Sequence, residues 1–287
     1  MIAIVGTTAS GKTDLSLYLA KRFNGEIICA DSRTIYRGMD IGTAKPTAEE
    51  QAEVPHHLLD VVDPGERLGA AEFKRLAGVA EREILARGRV PFLVGGSGMY
   101  VDAVLYDYDF PGASDAGLRA KLEQMGDEAL RIRLRETDPE AYESVDLANR
   151  RRVIRALETA GQPRSKRSAV RSDVLALGLL LSKEIVQMRI EQRVEKMLSQ
   201  GFIDEVRRIG EQYGWDSSAF DVIGYRAFKD VILGRKTPAE GAADFVRGDL
   251  NLYKKQVTWF KRNREIHWLG EDPQAEAVAL VRPFLGV

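Results

Sequence analysis

The chain has a single cysteine, Cys29, and three histidines among its 287 residues. One thiol excludes a disulfide framework and a multi-cysteine zinc site. No apolar run approaches the roughly eighteen residues that a spanning helix requires, so no membrane segment is expected. An excess of charge of one sign is also missing. Lys+Arg 42 against Asp+Glu 43 leaves a formal net charge of -1, which excludes attachment to nucleic acid by bulk charge but permits a local basic surface. Internal repeats and low-complexity tracts are absent. Met1 leads straight into an apolar strand and a glycine turn, a start unlike a signal peptide. With 44% hydrophobic and 30% charged residues, usage is that of an ordinary globular protein. A cytoplasmic chain is expected, with one large domain or a core carrying a smaller one.

Hydrophobic patterning supplies the organisation. Ile2 to Val5, Glu26 to Ala30 and Val90 to Val94 are short apolar runs suited to buried strands, with a further strand over Leu58 to Val62. Helical spacing falls between them, over Asp14 to Phe23 and Ala71 to Arg87. This alternation predicts a parallel sheet covered on both faces. From about Gly112 to Arg171 the pattern is helical, charged and free of strands. Val174 to Leu181 restores a strand, followed by helical stretches over Glu184 to Gly210 and Asp221 to Gly234, then a long helix ending near Arg264. Ile266 to Leu269 reads as an edge strand. The expected architecture is an α/β P-loop NTPase-like parallel sheet flanked by helices. Residues 1–112 and 172–287 form the core, and 113–171 form a helical insertion domain.

Gly6-Thr7-Thr8-Ala9-Ser10-Gly11-Lys12-Thr13 fits G-x-x-x-x-G-K-[ST], with a strand before it and a helix after it. Glycines let successive amides turn toward one anion, and the helix N-terminus adds partial positive charge. Lys12 supplies a point charge, and the Thr13 hydroxyl is suited to Mg²⁺. A polyphosphate or pyrophosphate is expected here. Two further strand ends, Asp31-Ser32 and Gly95-Gly96-Ser97-Gly98, would face the same crevice. On position alone Asp31 is a magnesium ligand, a general base or a helix N-cap.

These motifs, with Tyr36-Arg37-Gly38-Met39-Asp40-Ile41-Gly42-Thr43-Ala44-Lys45-Pro46, closely resemble the bacterial tRNA dimethylallyltransferases. Further matches follow in the family's order: Pro55-His56-His57-Leu58-Leu59-Asp60, Gly95-Gly96-Ser97-Gly98-Met99-Tyr100, Arg151-Arg152-x-x-Arg155-Ala156-Leu157-Glu158, Ile223-Gly224-Tyr225-Arg226 and Lys255-Gln256-x-Thr258-Trp259-Phe260. Together they cover nearly the whole chain. Departures are Thr7 for the family's proline, Thr34 for its glutamine at a position facing the target base, and Ser97 for its threonine.

The resemblance implies transfer of a five-carbon prenyl group from dimethylallyl diphosphate to N6 of an adenosine beside the anticodon. The partners would be the tRNA anticodon stem-loop and the prenyl donor, the cofactor Mg²⁺, and the chain a monomer. Adenine's exocyclic amine is a weak nucleophile, so a carboxylate that accepts its proton would help; Asp31 is the choice by strand-end position and family match. Lys12, Thr13-bound Mg²⁺, the loop amides and an arginine, for which Arg226 is the candidate, would neutralise the departing diphosphate. Arg226 as a structural salt bridge is the competing reading. Ser97 would hydrogen-bond the diphosphate or the target nucleotide, unless it only caps its loop.

RNA contacts are assigned to Asp31, Ser32, Arg33, Thr34, Ser97, Arg119, Arg151, Arg152, Arg155, Lys254, Lys255 and Trp259. Arg150 to Arg171 carries eight Lys/Arg against Glu158 alone, and Arg247 to Arg264 carries six against Asp249 alone. Either run by itself would be a solvated helix face. Aromatic residues among the basic ones suit an RNA loop, with core packing expected of either Trp259 or Phe260. Arg119 would brace the RNA loop or form a surface ion pair. Adjacent His56 and His57 point opposite ways in an extended segment, so one of them can face the site. Competing functions are a small-molecule or nucleotide kinase, a nucleotide-gated RNA-binding protein, and prenyl transfer to free adenine nucleotides.

Overall fold

The computed structural model describes residues 1–110, 116–160 and 169–287. It divides into two compact units, Met1–Asp107 with Ala169–Val287, and Tyr108–Ser168. The first unit opens with β1 (Ile2–Gly6), α1 (Lys12–Arg22), β2 (Gly25–Cys29), α2 (Ala48–Glu53), β3 (His56–His57), α3 (Ala70–Ala86), β4 (Val90–Gly95) and α4 (Gly98–Leu105). The second unit holds α5 (Ala116–Gln124), α6 (Asp127–Thr137), α7 (Pro139–Ser144) and α8 (Arg150–Glu158). The first unit then resumes with β5 (Leu175–Leu179), α9 (Lys183–Ser199), α10 (Phe202–Tyr213), α11 (Ile223–Ile232), α12 (Pro238–Phe260), β6 (His267–Leu269) and α13 (Pro273–Leu285). Among the described residues no helix is long and apolar enough to cross a membrane.

The six strands form one parallel sheet in the order β3-β2-β4-β1-β5-β6. β1, β2 and β5 are buried along their whole length, because helices cover both faces of a parallel sheet. Ile2, Ile4, Ile27, Phe92 and Leu177 pack with Leu15 and Leu19 of α1 and with Ala277 and Val281 of α13. Elsewhere α3 contacts β2 and β4, and α12 contacts β1. Phe92 is fully buried, so Phe92→Ala would cost about 3–5 kcal/mol. This order sets the C-terminal ends of β2, β4 and β1 side by side, where the phosphate loop, Asp31 and Ser97 begin.

Three sequence expectations are corrected. The third strand is His56–His57 rather than Leu58 to Val62. Leu58 and Asp60 take positive φ angles of 66° and 55°, which removes them from the extended region, and Val62 makes only an isolated bridge to Tyr36. The helical stretch from Glu184 to Gly210 is broken at Gly201, which sits at φ 92° and starts α10. Arg171 belongs to the first unit rather than to the insertion. Its guanidinium pairs with Glu81 at 2.8 Å and Asp173 at 2.6 Å, and its amide donates to the Leu105 carbonyl.

The second unit has its own core of Leu122, Leu130, Leu134, Val153, Ile154 and Leu157. Arg164, Lys166 and Arg167 of the basic run lie outside the described residues.

Candidate active site

The phosphate loop leaves β1 and enters α1 at Gly11. Gly11 has φ 89° and no side chain to cap the helix, a conformation that costs glycine little and leaves the N-terminal amides free for an anion. The Lys12 ammonium folds back onto the Thr7 carbonyl at 2.5 Å, with the Ser10 hydroxyl 3.5 Å away. Burial pushes Lys12 down to about 8, the charge of Asp31 opposing the fall and that of Arg193 adding to it. Thr8 to Thr13 line a cavity of about 510 Å³. Gly6 and Thr7 do not: Thr7 is buried, its hydroxyl without a partner.

Facing the loop is a wall that sequence reasoning missed. Arg193 on α9 donates to the Thr8 hydroxyl at 2.9 Å and pairs with buried Asp249 on α12. Burial raises the Asp249 carboxyl, with Arg193 pulling it back down. Arg189, one turn before Arg193, donates to the Ala9 carbonyl at 3.3 Å. Gln256 accepts from the Thr8 amide at 2.8 Å. All four side chains line the cavity.

A signal for two of them was present. Asp249, Tyr253, Gln256 and Phe260 share the buried stripe of α12, and polar residues on an apolar stripe call for a function or a partner. Arg226 is exposed on α11 and does not line the cavity. The neighbours in its motif act structurally. The Tyr225 hydroxyl donates to Glu205 at 2.5 Å, and Glu205 accepts the amides of Asp40, Ile41 and Gly42, each at 2.9 Å. That buried carboxylate holds the segment placing Gly42, Thr43, Ala44 and Pro46 on the cavity wall. Buried Lys45 braces the same segment through Asp40, Asp60 and the Tyr36 carbonyl.

At the end of β2 no helix begins, so Asp31 is not an N-cap. Its Oδ1 accepts the Arg33 amide at 2.8 Å, the local turn that Asp favours, and the carboxylate reaches the cavity. Ser97 precedes α4 yet makes no side-chain cap. Its hydroxyl accepts the Ser32 amide at 2.8 Å and donates to the Ser32 hydroxyl at 3.1 Å. Ser32 and Ser97 therefore stand behind Asp31, while Arg33 and Thr34 line the cavity with it. Thr34 is buried, its hydroxyl unpartnered. His56 also lines the cavity. Burial lowers its pKa, and its Nδ1 contacts the Val54 carbonyl at 2.7 Å. His57 points away to Glu26 at 2.6 Å. Ile27, Cys29, Val94, Met197, Val222 and Phe245 give the cavity an apolar part.

The basic residues of α12 do not line this cavity. Lys254 and Lys255 are exposed on α12. Trp259 is half-buried against Gly98, with the Arg262 guanidinium 4.3 Å from its ring centre. Phe260 is the core residue of that pair. In the second unit Arg119 and Arg155 converge on Glu158, at 3.1 and 3.2 Å, whose side chain is fully buried. Arg152 lies 3.7 Å from Asp146, and Arg151 is exposed.

A parallel sheet with a glycine-rich loop, a lysine, an arginine and a carboxylate around one crevice at its strand ends defines an α/β protein of the P-loop-like class. The chain belongs to the IPP transferase family, whose model matches residues 34–263. It is 43% identical to a tRNA dimethylallyltransferase of Roseiflexus sp. (strain RS-1), over 99% of this chain and 98% of that protein. A solved tRNA isopentenylpyrophosphate transferase from Bacillus halodurans is 37% identical, with TM-score 0.73 over 99% of this chain and 95% of that one. The solved eukaryotic dimethylallyltransferase acting on tRNA superposes with TM-score 0.88 over 100% of this chain and 79% of that one. At 24% identity that likeness concerns the fold.

Proposed function

We propose that the protein transfers a dimethylallyl group from dimethylallyl diphosphate to N6 of an adenosine beside the anticodon of tRNA, releasing diphosphate. One observation carries this reading: Asp31 and the phosphate loop with Lys12 line the same cavity, which also has an apolar part. A kinase would share the phosphate loop, but the relatives that match along the whole chain are named as prenyltransferases. Named relatives acting on tRNA support the same substrate.

In this reading the diphosphate lies on the loop amides, with Lys12 and Arg193 neutralising charge as it leaves. The five-carbon chain occupies the apolar part. N6 attacks the allylic carbon, the carbon–oxygen bond breaks with its electron pair going to the diphosphate, and the N6 proton passes to Asp31. Asp31 Oδ1 is engaged by the Arg33 amide, which leaves Oδ2 to take that proton. Among the described residues no three His, Cys, Asp or Glu side chains gather as a metal cage. Mg²⁺ keeps waters and binds through few protein oxygens plus phosphates, so one hydroxyl at the phosphate loop is a sufficient protein ligand. Thr13, exposed at the cavity, would hold it, and bound Mg²⁺ would screen diphosphate charge. Asp31, Arg33 and Thr34 are assigned to the target nucleotide, with Ser32 and Ser97 supporting them. Lys254, Lys255, Trp259, Arg151 and Arg152 are assigned to the RNA, while Arg119 and Arg155 shape the insertion through Glu158. The protein is proposed to act as a monomer in the cytoplasm.

The test is incubation with labelled dimethylallyl diphosphate and either tRNA or AMP. Label on tRNA alone is the expected result. Label on AMP alone would move the assignment to a nucleotide prenyltransferase, and label on neither would remove it.

A further inference from the structure

Gln256 is buried on α12 and spends both ends of its carboxamide on backbone groups from different strand ends. Its Oε1 accepts the Thr8 amide at 2.8 Å, and its Nε2 donates to the Gly96 carbonyl at 3.0 Å. An amide donor on one side and a carbonyl acceptor on the other fix which way the carboxamide points. The fit is close: a Cβ at position 96 would lie 2.5 Å from Gln256 Nε2. A side chain at position 96 would displace the glutamine's carboxamide, which joins two sequence matches that sit 160 residues apart. One of the phosphate-loop amides is thus held by protein and withheld from the ligand.

Thr8 belongs to the loop that holds the leaving group. Gly96 immediately precedes Ser97, whose hydroxyl holds the Ser32 amide beside Asp31. We propose that Gln256 is a positioning residue for prenyl transfer, fixing the spacing between the diphosphate cradle and the strand end that carries the proton acceptor. This rests on the transferase reading above. Displacement transfer needs nucleophile, carbon and leaving group in line, and a misplacement of about 1 Å can cost about a hundredfold in rate. Gln256 touches neither reacting atom in this scheme. Its effect belongs in the chemical step and not in diphosphate affinity, because the remaining loop amides, Lys12 and Arg193 bind the anion without it.

The experiment compares wild type, Gln256→Met, Gln256→Glu, Gly96→Ala and the Gln256→Met/Gly96→Ala double variant. Single-turnover transfer to tRNA, calorimetric affinity for inorganic pyrophosphate and thermal midpoint are read for each. Methionine fills the volume without polar atoms, and glutamate keeps the acceptor for Thr8 but loses the donor to Gly96. The expected result is a rate lower by about ten- to a hundredfold in each single variant, with pyrophosphate affinity within about threefold of wild type. The double variant should lose little beyond either single one, as coupled residues do. A transfer rate near wild type in Gln256→Met or Gln256→Glu overturns the proposal. So does a rate loss that merely tracks pyrophosphate affinity, or a double variant in which the losses multiply. Should Gln256→Met fail to fold, Gln256→Glu and Gly96→Ala decide the matter. A wild-type protein that binds pyrophosphate but never transfers the prenyl group would refute the function instead.

Discussion

The hydroxyl of Ser97 accepts the backbone amide of Ser32 at 2.8 Å, tying together the ends of two neighbouring strands whose residues are 65 positions apart. The bond fixes the residue next to Asp31, so Ser97 acts on the carboxylate through Ser32. Ser97→Ala should lower the single-turnover rate by about tenfold, while Ser97→Thr keeps the hydroxyl and most of the activity. Equal rates for the alanine and threonine variants would show that the tether is idle.

Of the two arginines beside the phosphate loop, Arg189 and Arg193, the second reaches the Thr8 hydroxyl. Arg193→Ala should raise the donor KM and slow transfer by about a hundredfold or more, the range for loss of one charge-stabilising group. Arg226→Ala, at an exposed position outside the cavity, should stay within about twofold of wild type. Kinetics of the two variants side by side decide between them, and the reverse order would restore Arg226 to the diphosphate.

The sequence made the phosphate loop legible because its chemistry is local: strand, eight residues and helix are contiguous. Asp31 was legible as a strand end at the crevice, whereas Ser97, read the same way, holds Ser32 and does not line the cavity. Arg193 and Asp249 were not legible, since they come from two helices that meet only in the fold. Arg226 is exposed and outside the cavity lining. Its motif is held by Tyr225 on buried Glu205, a packing role that a match in sequence cannot distinguish from catalysis. The third strand failed because apolar content at Leu58 to Val62 outweighed two residues whose backbone turns left-handed.

Lys12 gives a pH dependence. Burial holds its pKa at about 8 in the free protein, and a bound diphosphate favours the ammonium. Below pH 8 the lysine is already charged and its contribution to affinity is constant. Above pH 8 binding must take up a proton, so affinity falls by up to about tenfold per unit. Calorimetry with pyrophosphate from pH 7 to pH 9.5, referenced to Lys12→Arg to cancel the ligand's own titration, should show this step. Lys12→Ala should abolish transfer and leave tRNA affinity largely intact.

Stability should respond to acid through Glu26. Hydrogen bonds from Arg87 hold this buried carboxyl at about 2, burial opposing them and His57 assisting. Its folded pKa lies below the ordinary value, so the stabilisation is complete above about pH 4.5 and is lost as pH falls toward 2. Glu26→Gln should cost about 3 kcal/mol at neutral pH, the linkage value of a shift this size. Chemical denaturation at neutral pH and near pH 3 should show the gap narrowing; a gap independent of pH would contradict the account.

Binding of tRNA should weaken steeply with salt through exposed cations such as Lys254 and Lys255. For each phosphate that the two lysines neutralise, removing their charge should reduce the slope of log K against log salt by about 0.7 to 0.9. An unchanged slope in the Lys254→Ala/Lys255→Ala variant would make that face a solvated surface.

The claim that Asp31 takes the N6 proton is tested most directly by single-turnover transfer in Asp31→Asn across a magnesium series. Asparagine keeps the shape and can still accept the Arg33 amide, but it lacks the basic oxygen. The account predicts a rate lower by about two to four orders of magnitude, unrecovered by added magnesium, with tRNA affinity little changed. A rate close to wild type, or one restored by raising the metal, would contradict it.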